Sequence, residues 1–500
     1  MKKIFIILAM AICVPFILQA QTDADALRYS FLDFGGTARS LGSANAYGAI
    51  GGDYSTTSMN PAGLGIYRSS ELVLTPGLTT INNSSLFIGE TNGSDKTDFY
   101  LSNASLVLSY MKDGKESATD GWVGANFGVG YNKLANYNSQ VYYSGFNTTS
   151  SLLDVYAGHL NGVNPSDAFA ADPFGAGLAW ETYLLNPNPD DSTTYYGVVN
   201  GGNVRQSKSI NTAGGYDELT ISFAGNYANR LYVGGTLGVP FIDYDYVSSY
   251  QEEDENEVHP DFVNFSQTDE LHTSGSGINV KMGFIYRIND YVRLGGAFHS
   301  PTLFQMNDVY FSSMESSLDI SGDYPYESPI GEYDYELVTP WRVIGSAALT
   351  IQKHGFVSVD YEYVDYSEAN FNYGRTGTVA ELDAETNVNT SIENKYGSAS
   401  NIRFGGELVL DVFRLRAGYA IMGSPFNTGI AAGDADYARN MYTAGAGIKE
   451  ENFFIDFGFG HTTSTAYDIP YLQPNPDLPN DGATTESGVN NFLLSLGFRF

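Results

Sequence analysis

Six histidines, an acidic run and a set of arginines and carboxylates embedded among apolar residues are the side chains here with the means to do chemistry. Their spacing builds no enzyme. There is no H-E-x-x-H pair, no G-x-S-x-G elbow and no G-x-x-x-x-G-K phosphate loop. His259, His272, His299 and His461 are imidazoles near the external ends of segments or in an external loop, and haem ligation needs one or two such rings at a common site. His299 and His461 fall on segments far apart in order, which argues against their pairing. The run Glu252-Glu253-Asp254-Glu255-Asn256-Glu257 offers oxygen ligands to calcium, but it lacks the spaced Asp and Gly of an EF-hand loop, so a solvated face is favoured. No catalytic group, resident metal or cofactor is expected.

The remaining charges sit in a pattern. Arg342, Asp360, Glu362, Arg403, Glu407, Arg414 and Arg416 alternate with apolar residues, as in Val357, Val359, Tyr361 and Tyr363 against Ser358, Asp360 and Glu362. Such alternation makes a two-faced strand. From Glu71 onward it recurs in fourteen segments: 71–78, 103–111, 121–131, 217–227, 230–240, 277–288, 291–300, 339–352, 355–365, 400–410, 413–421, 440–449, 452–462 and 490–500. Connections alternate between short (112–120, 228–229, 289–290, 353–354, 411–412, 450–451) and long (79–102, 132–216, 241–276, 301–338, 366–399, 422–439, 463–489). A soluble sandwich has no reason to sort its loops by side. The expectation is all-β: a 14-stranded antiparallel transmembrane β-barrel over 71–500, with tight turns on the periplasmic side and seven long external loops.

A charge facing lipid at the midplane costs roughly 2–4 kcal/mol, so the seven charges above are expected to face the lumen. There they serve as charge balance and hydrogen bonding to a plug, or as a polar gate beside a transport path. Composition agrees with a barrel: 37 Tyr, 30 Phe and 55 Gly suit aromatic belts and glycine-rich strands. Residues 1–20 read as a secretory signal peptide, with Lys2 and Lys3, an apolar stretch from Ile4 to Leu18 and a cut near Gln21. Cys13 lies in that stretch without lipobox-like residues before it, so processing leaves no cysteine. Cleavage removes two lysines and no acid from a chain already at −32, which disfavours nucleic acid as a partner. Phe492, Leu494, Leu496, Phe498 and the terminal Phe500 share one face. This ending resembles the signal by which the barrel-assembly machinery recognises outer-membrane proteins.

Residues 21–70 do not alternate. They hold Phe34-Gly35-Gly36-Thr37-Ala38-Arg39-Ser40-Leu41-Gly42, then Asp53 through Thr57, then Asn60-Pro61-Ala62-Gly63-Leu64. A glycine-rich segment ahead of the first strand is suited to filling a bore that fourteen strands leave wide. The segment resembles the N-terminal hatch of the FadL/TodX family of outer-membrane transporters of hydrophobic compounds, most specifically at Asn60, Pro61, Ala62 and Gly63. The resemblance implies passive uptake of apolar molecules such as long-chain fatty acids or aromatic hydrocarbons, through a loop-lined pocket above the hatch and a side opening at an inward kink of the third strand. Gly124, Gly128 and Gly130, on the inner face of that strand, permit such a kink or accommodate the plug. In the longest loop Leu152, Tyr156, Phe174, Leu178, Trp180 and Leu184 form either an apolar entrance or a small core of their own. The partners implied are outer-membrane lipid and lipopolysaccharide, the latter reached through divalent ions at acidic loops, and a hydrophobic ligand. A surface adhesin or structural barrel, a haem receptor and a diffusion porin are the alternatives, the last opposed by the plug. No Ton-box-like segment indicates energy coupling.

Overall fold

The computed structural model describes residues 21–500 except 34, 113–118, 200, 321, 375–376, 428, 430–436 and 474–479; the signal-peptide reading and Phe34 therefore lie outside the described residues. Alternating polarity from Glu71 onward produces fourteen strands in one ring. They are β1 (Glu71–Phe87), β2 (Glu90–Met111), β3 (Trp122–Asn136), β4 (Val204–Tyr227), β5 (Leu231–Glu253), β6 (Asn264–Arg287) and β7 (Val292–His299), then β8 (Arg342–Thr350), β9 (Gly355–Asp365), β10 (Ser398–Leu410), β11 (Phe413–Met422), β12 (Arg439–Lys449), β13 (Phe453–Asp468) and β14 (Ala483–Arg499). Each pairs antiparallel with the next, and β14 closes on β1 with Arg499 opposite Glu71. Closure leaves no free edge, the condition for burying a sheet in lipid.

The fourteen expected segments all fall on these strands. Leu219, Ile221 and Phe223 on β4, Val280, Met282 and Phe284 on β6, and Leu494, Leu496 and Phe498 on β14 point outward and are exposed. Trp122, Tyr227, Tyr291, Phe413 and Phe453 ring the short-turn end of this apolar belt, where amphipathic rings suit a lipid–water boundary. Tight turns follow their chemistry: Ala228 and Asn229 both have positive φ, the two-residue geometry that matches strand twist between β4 and β5.

At the other end the strands run far past the belt, and much of what was expected as loop is strand. β1 and β2 continue as one hairpin across Ile88 and Gly89, and the wall is prolonged by Ser139–Asn147, Leu303–Leu318, Gly331–Val338 and Asn370–Asn372. These extensions escape a lipid-based pattern because their outer faces are polar, as in Thr91, Gly93, Asp95 and Thr97.

The segment before β1 lies inside the bore. It holds α1 (Asp23–Ser30), α2 (Ala38–Leu41) and two 3₁₀ turns, Tyr54–Ser58 and Pro61–Ile66. Glycine lets it sit against the wall. A Cβ on Gly458 would stand 2.5 Å from Ala38 O, and one on Gly234 would stand 2.5 Å from Pro61 O. The long insertion after β3 carries α3 (Leu152–Leu160), α4 (Ala168–Ala171) and α5 (Ala176–Glu181); α6 (Val379–Lys395) covers the opposite side of the mouth, over α1.

Candidate functional site

Asn60 shows how the hatch is seated. Its Oδ1 accepts from Ala62 N (3.2 Å), capping the turn that Pro61 begins. Its Nδ2 donates to Gly48 O (2.6 Å) within the hatch and to Phe284 O (3.0 Å) on β6. A Cβ on Gly63 would stand 2.5 Å from Thr56 Oγ1, so the two 3₁₀ turns pack without a side chain between them. Asn60, Pro61, Ala62 and Gly63 are all buried.

The expected lumen charges do face inward, and they bind hatch to wall. Glu362 accepts from Arg342 (2.6 Å) and Arg403 (2.8 Å), while Arg342 also donates to Ser30 O at the end of α1. Glu407 accepts from Arg416 (2.7 Å) and from Arg39 of the hatch (3.2 Å); Arg416 also reaches Asp456 (2.6 Å). Asp360 accepts from Gly48 N (2.9 Å). Arg414 lies at the edge of the patch: it is half-buried, lines a small pocket with Glu407, Arg416 and Asp456, and donates to the carbonyls of Asp411 and Phe413 at its own turn. The sequence reading missed Asp456 and the buried Glu218–Lys281 pair, although their alternation with Ile455, Leu219 and Val280 carried the same signal.

A cavity of about 280 Å³ lies between the hatch and the wall of β1, β2, β3 and β10 through β14. Leu41, Ile81, Tyr100, Leu134, Tyr137, Met422, Met441, Val489 and Leu493 give it apolar surface; Asn45, Thr79, Ser102, Thr462 and Asn491 give it polar points. Its charged lining is neutralised: Asp33 meets Arg439 (2.8 Å), Arg403 meets Glu362 and Lys133 meets Asp217 (3.2 Å).

The cavity abuts a seam in the wall. Pro76 has no N–H to give the ladder, and the β1–β2 register slips there so that Ser102 is bulged out. The β2–β3 ladder ends at Asn103 opposite Asn132. Above it β3 slips again between Lys133 and Ala135, and Ser139–Asn147 pairs with β4. Among the described residues, no ladder joins the upper half of β2 to this neighbour. Side chains span the gap instead: Asn136 and Asn138 donate to Asp98 (3.1 and 3.0 Å), Ser94 to Gln140 O (2.8 Å) and Lys96 to Thr212 O (2.6 Å). The hatch fills the foot of the seam. Asp33 N donates to Leu134 O (2.7 Å) and Ser102 Oγ donates to Gly36 O (2.7 Å).

The irregularity is therefore on the third strand but not at the glycines named for it. Gly128 and Gly130 are in regular register on both sides, and a Cβ there would stand 2.9 and 2.6 Å from the Tyr54 ring. They accommodate the plug. Gly124 adjoins a separate slip next to Trp122, at the far end of the strand.

The expected apolar entrance is not where the long insertion places its side chains. Leu152, Tyr156, Leu178 and Leu184 are buried in a core with Tyr250, Phe265 and Met314. Half-buried Trp180 packs on Tyr195 and Phe174 on Tyr310. None of the six lines the cavity. The acidic run is likewise not a solvated face throughout: Glu252 is buried and accepts from Ser151 Oγ (2.5 Å), Leu152 N (2.8 Å) and Tyr250 OH (2.7 Å), holding α3 to β5. The histidines do not assemble an axial pair. His299 bonds Met59 O (2.6 Å), His461 bonds Asn490 (2.8 Å), His259 bonds Gly202 O (2.8 Å) and His272 bonds Asp245 (2.8 Å).

No family model and no curated protein matches the sequence. Solved structures do match the fold. A FadL homologue of Pseudomonas aeruginosa is 12% identical, with 94% of this chain and 100% of that one covered and a TM-score of 0.57. The toluene transporter TodX of P. putida is 11% identical, with 93% and 99% covered and a TM-score of 0.51. The toluene transporter TbuX of Ralstonia pickettii is 13% identical, with 93% and 98% covered and a TM-score of 0.51. The expected FadL/TodX-type barrel is thus found at the level of fold.

Proposed function

We propose that this protein is an outer-membrane channel for passive uptake of small, uncharged hydrophobic compounds, loaded into the cavity beside α2 and released sideways at the β2–β3 seam. The observation that carries this reading is the contact between cavity and seam: Tyr100 and Ser102 on one side and Leu134 through Ser139 on the other line both. An apolar solute gains free energy on entering such a space and then partitions into lipid without crossing water. The apolar belt, the closed ring and the likeness to solved channels support the membrane location. The channel itself does no catalysis. Lipid, lipopolysaccharide and the barrel-assembly machinery are its proposed surroundings and helper.

Size and charge narrow the ligand. A cavity of about 280 Å³ falls at the small end of ligand sites, near 300 Å³. Its charged residues are each in an ion pair, which leaves a carboxylate no whole cation, only the Nε and Nη2 groups of Arg439 beyond its bond to Asp33. Ring-sized neutral molecules fit this better than long-chain fatty acids.

Uptake of toluene and of palmitate into proteoliposomes tests the reading, with Met441→Trp and Leu493→Trp filling the cavity. Toluene entry should fall several-fold in both variants, and palmitate entry should be slow throughout. Unchanged toluene entry in variants that retain heat-modifiable gel mobility would remove the proposal.

A further inference from the structure

Beneath the hatch, at the short-turn end, lies a second and unrelated bowl of about 540 Å³. Its floor is Ile50 to Gly52 and Ile66 to Ser69 of the hatch. Six cations line it, Arg39, Arg68, Arg287, Arg293, Lys449 and Arg499, against two carboxylates, Asp290 and Glu407. This excess runs against the composition of a chain with 25 Lys and Arg and 57 Asp and Glu.

Arg68 donates to Asn229 Oδ1 (2.8 Å), and three of the other cations are neutralised. Arg287 meets Asp290 (2.5 Å), Arg39 meets Glu407 and Arg499 meets Glu71 (2.7 Å). Arg293 meets no carboxylate: its Nη1 donates to Ile50 O (3.0 Å), and its buried Nε has no hydrogen-bond partner. Lys449 forms no ion pair among the described residues. Arg293 thus gives one N–H to the hatch, and neither its charge nor that of Lys449 is met by a hatch carboxylate among the described residues. A concave, protein-walled surface with an excess of one sign concentrates counter-ions, and cation-lined mouths are how pores hold phosphate-like anions.

We propose that this bowl is a binding site for a multivalent oxyanion of the phosphate class, with Arg293 and Lys449 as its free charges. Guanidinium matches phosphate geometry, and the ammonium adds a point charge. The phosphate comes either from a soluble compound or from a phospholipid headgroup at the adjacent lipid boundary.

Calorimetric titration of inorganic pyrophosphate into the purified protein, in a neutral detergent at low salt, reads the site directly. Saturable binding should appear, weaken with added salt, and weaken at least tenfold in the double variant Arg293→Gln, Lys449→Gln. The single variants, each screened for heat-modifiable mobility, cover a double variant that fails to fold. Lys395→Gln, on α6 at the opposite end, should bind as the parent does. Native mass spectrometry in micelles containing phosphatidylglycerol and phosphatidylcholine separates the sources. Retained phosphatidylglycerol that pyrophosphate displaces identifies a headgroup site; pyrophosphate binding without such retention identifies a soluble ligand. Absence of both, or binding that the folded variants keep unchanged, overturns the proposal. Toluene uptake is independent of either result.

Discussion

Replacing Asn60 by Asp should loosen the hatch more than replacing it by Ala, although Asp is the closer match in shape. Asn60 is fully buried and makes three hydrogen bonds, two as donor to Gly48 O and Phe284 O and one as acceptor from Ala62 N. Ala removes all three. At a net ~1 kcal/mol per bond, with more for buried groups left unsatisfied, the seat weakens by about 3 kcal/mol. Since 1.4 kcal/mol is a factor of about ten, the open population should rise on the order of a hundredfold. Asp keeps the acceptor but sets an oxygen against two carbonyl oxygens, adding repulsion and the cost of a buried charge without a cation. Hydrogen exchange of the amides from Gly48 to Ile66 measures the local opening, and planar-bilayer conductance registers excursions that expose the lumen. The expected order of exchange and of conductance bursts is Asp above Ala above the parent. If Ala exceeds Asp, or if Asp exchanges as the parent does, the wall hydrogen bonds of Asn60 are not what seats the hatch.

Glu362→Gln leaves Arg342 and Arg403 buried without their shared carboxylate and should destabilise the barrel by about 3–5 kcal/mol, seen as a lower temperature of the gel-mobility transition. Gly458→Ala brings a methyl group to 2.5 Å from Ala38 O, a backbone atom with nowhere to go; a loss of about 1–3 kcal/mol and faster exchange around α2 are expected, with the exchange at Asn60 unchanged. Asp308, above the apolar belt on Leu303–Leu318, holds Gln21 (2.7 Å) and Thr273 (2.6 Å), and its burial pushes the carboxyl up to about 6. A folded-state value above the unfolded one stabilises fully below the unfolded value and is lost as pH rises through about 6. Protection of residues 21–30 against exchange should therefore be greater near pH 5 than near pH 7.5, after correction for intrinsic rates, and Asp308→Asn should abolish the difference.

The ring was legible because one face of every strand must satisfy lipid, and that demand writes a period of two into the chain wherever lipid is present. The lumen charges were legible for the same reason: Glu362 and Arg403 stand opposite exposed Tyr361 and Phe404, and nothing but an inward orientation spares them the lipid. The rule stops where the lipid stops. Residues 303–318 and 331–338 are strands whose outer face carries Gln305, Asn307, Glu332 and Asp334, so they read as loop. The cavity was illegible for a different reason. Leu41, Tyr100, Met441 and Leu493 come from four separate elements, and only closure of the ring with the hatch inside brings them together.

The seam illustrates how a local rule becomes a site. Pro76 was visible in the first strand, yet its consequence lies on the partner, where Ser102 is displaced and its hydroxyl is turned to Gly36 O. Gly35 is needed beside it because a Cβ would overlap Lys133 O, at 1.8 Å. The hatch thus lies directly against the wall where the β2–β3 ladder stops, and it supplies a hydrogen bond to Leu134 O there. Plug and irregular strand are one construction: the backbone groups freed by the missing ladder are met by the hatch and by the side chains of Asn83, Asn92 and Ser94 rather than by another strand. Side chains part at the expense of a few hydrogen bonds, whereas a ladder must unzip. A wall stitched in this way costs less to part than a continuous ladder, which is why the proposed release route runs through it.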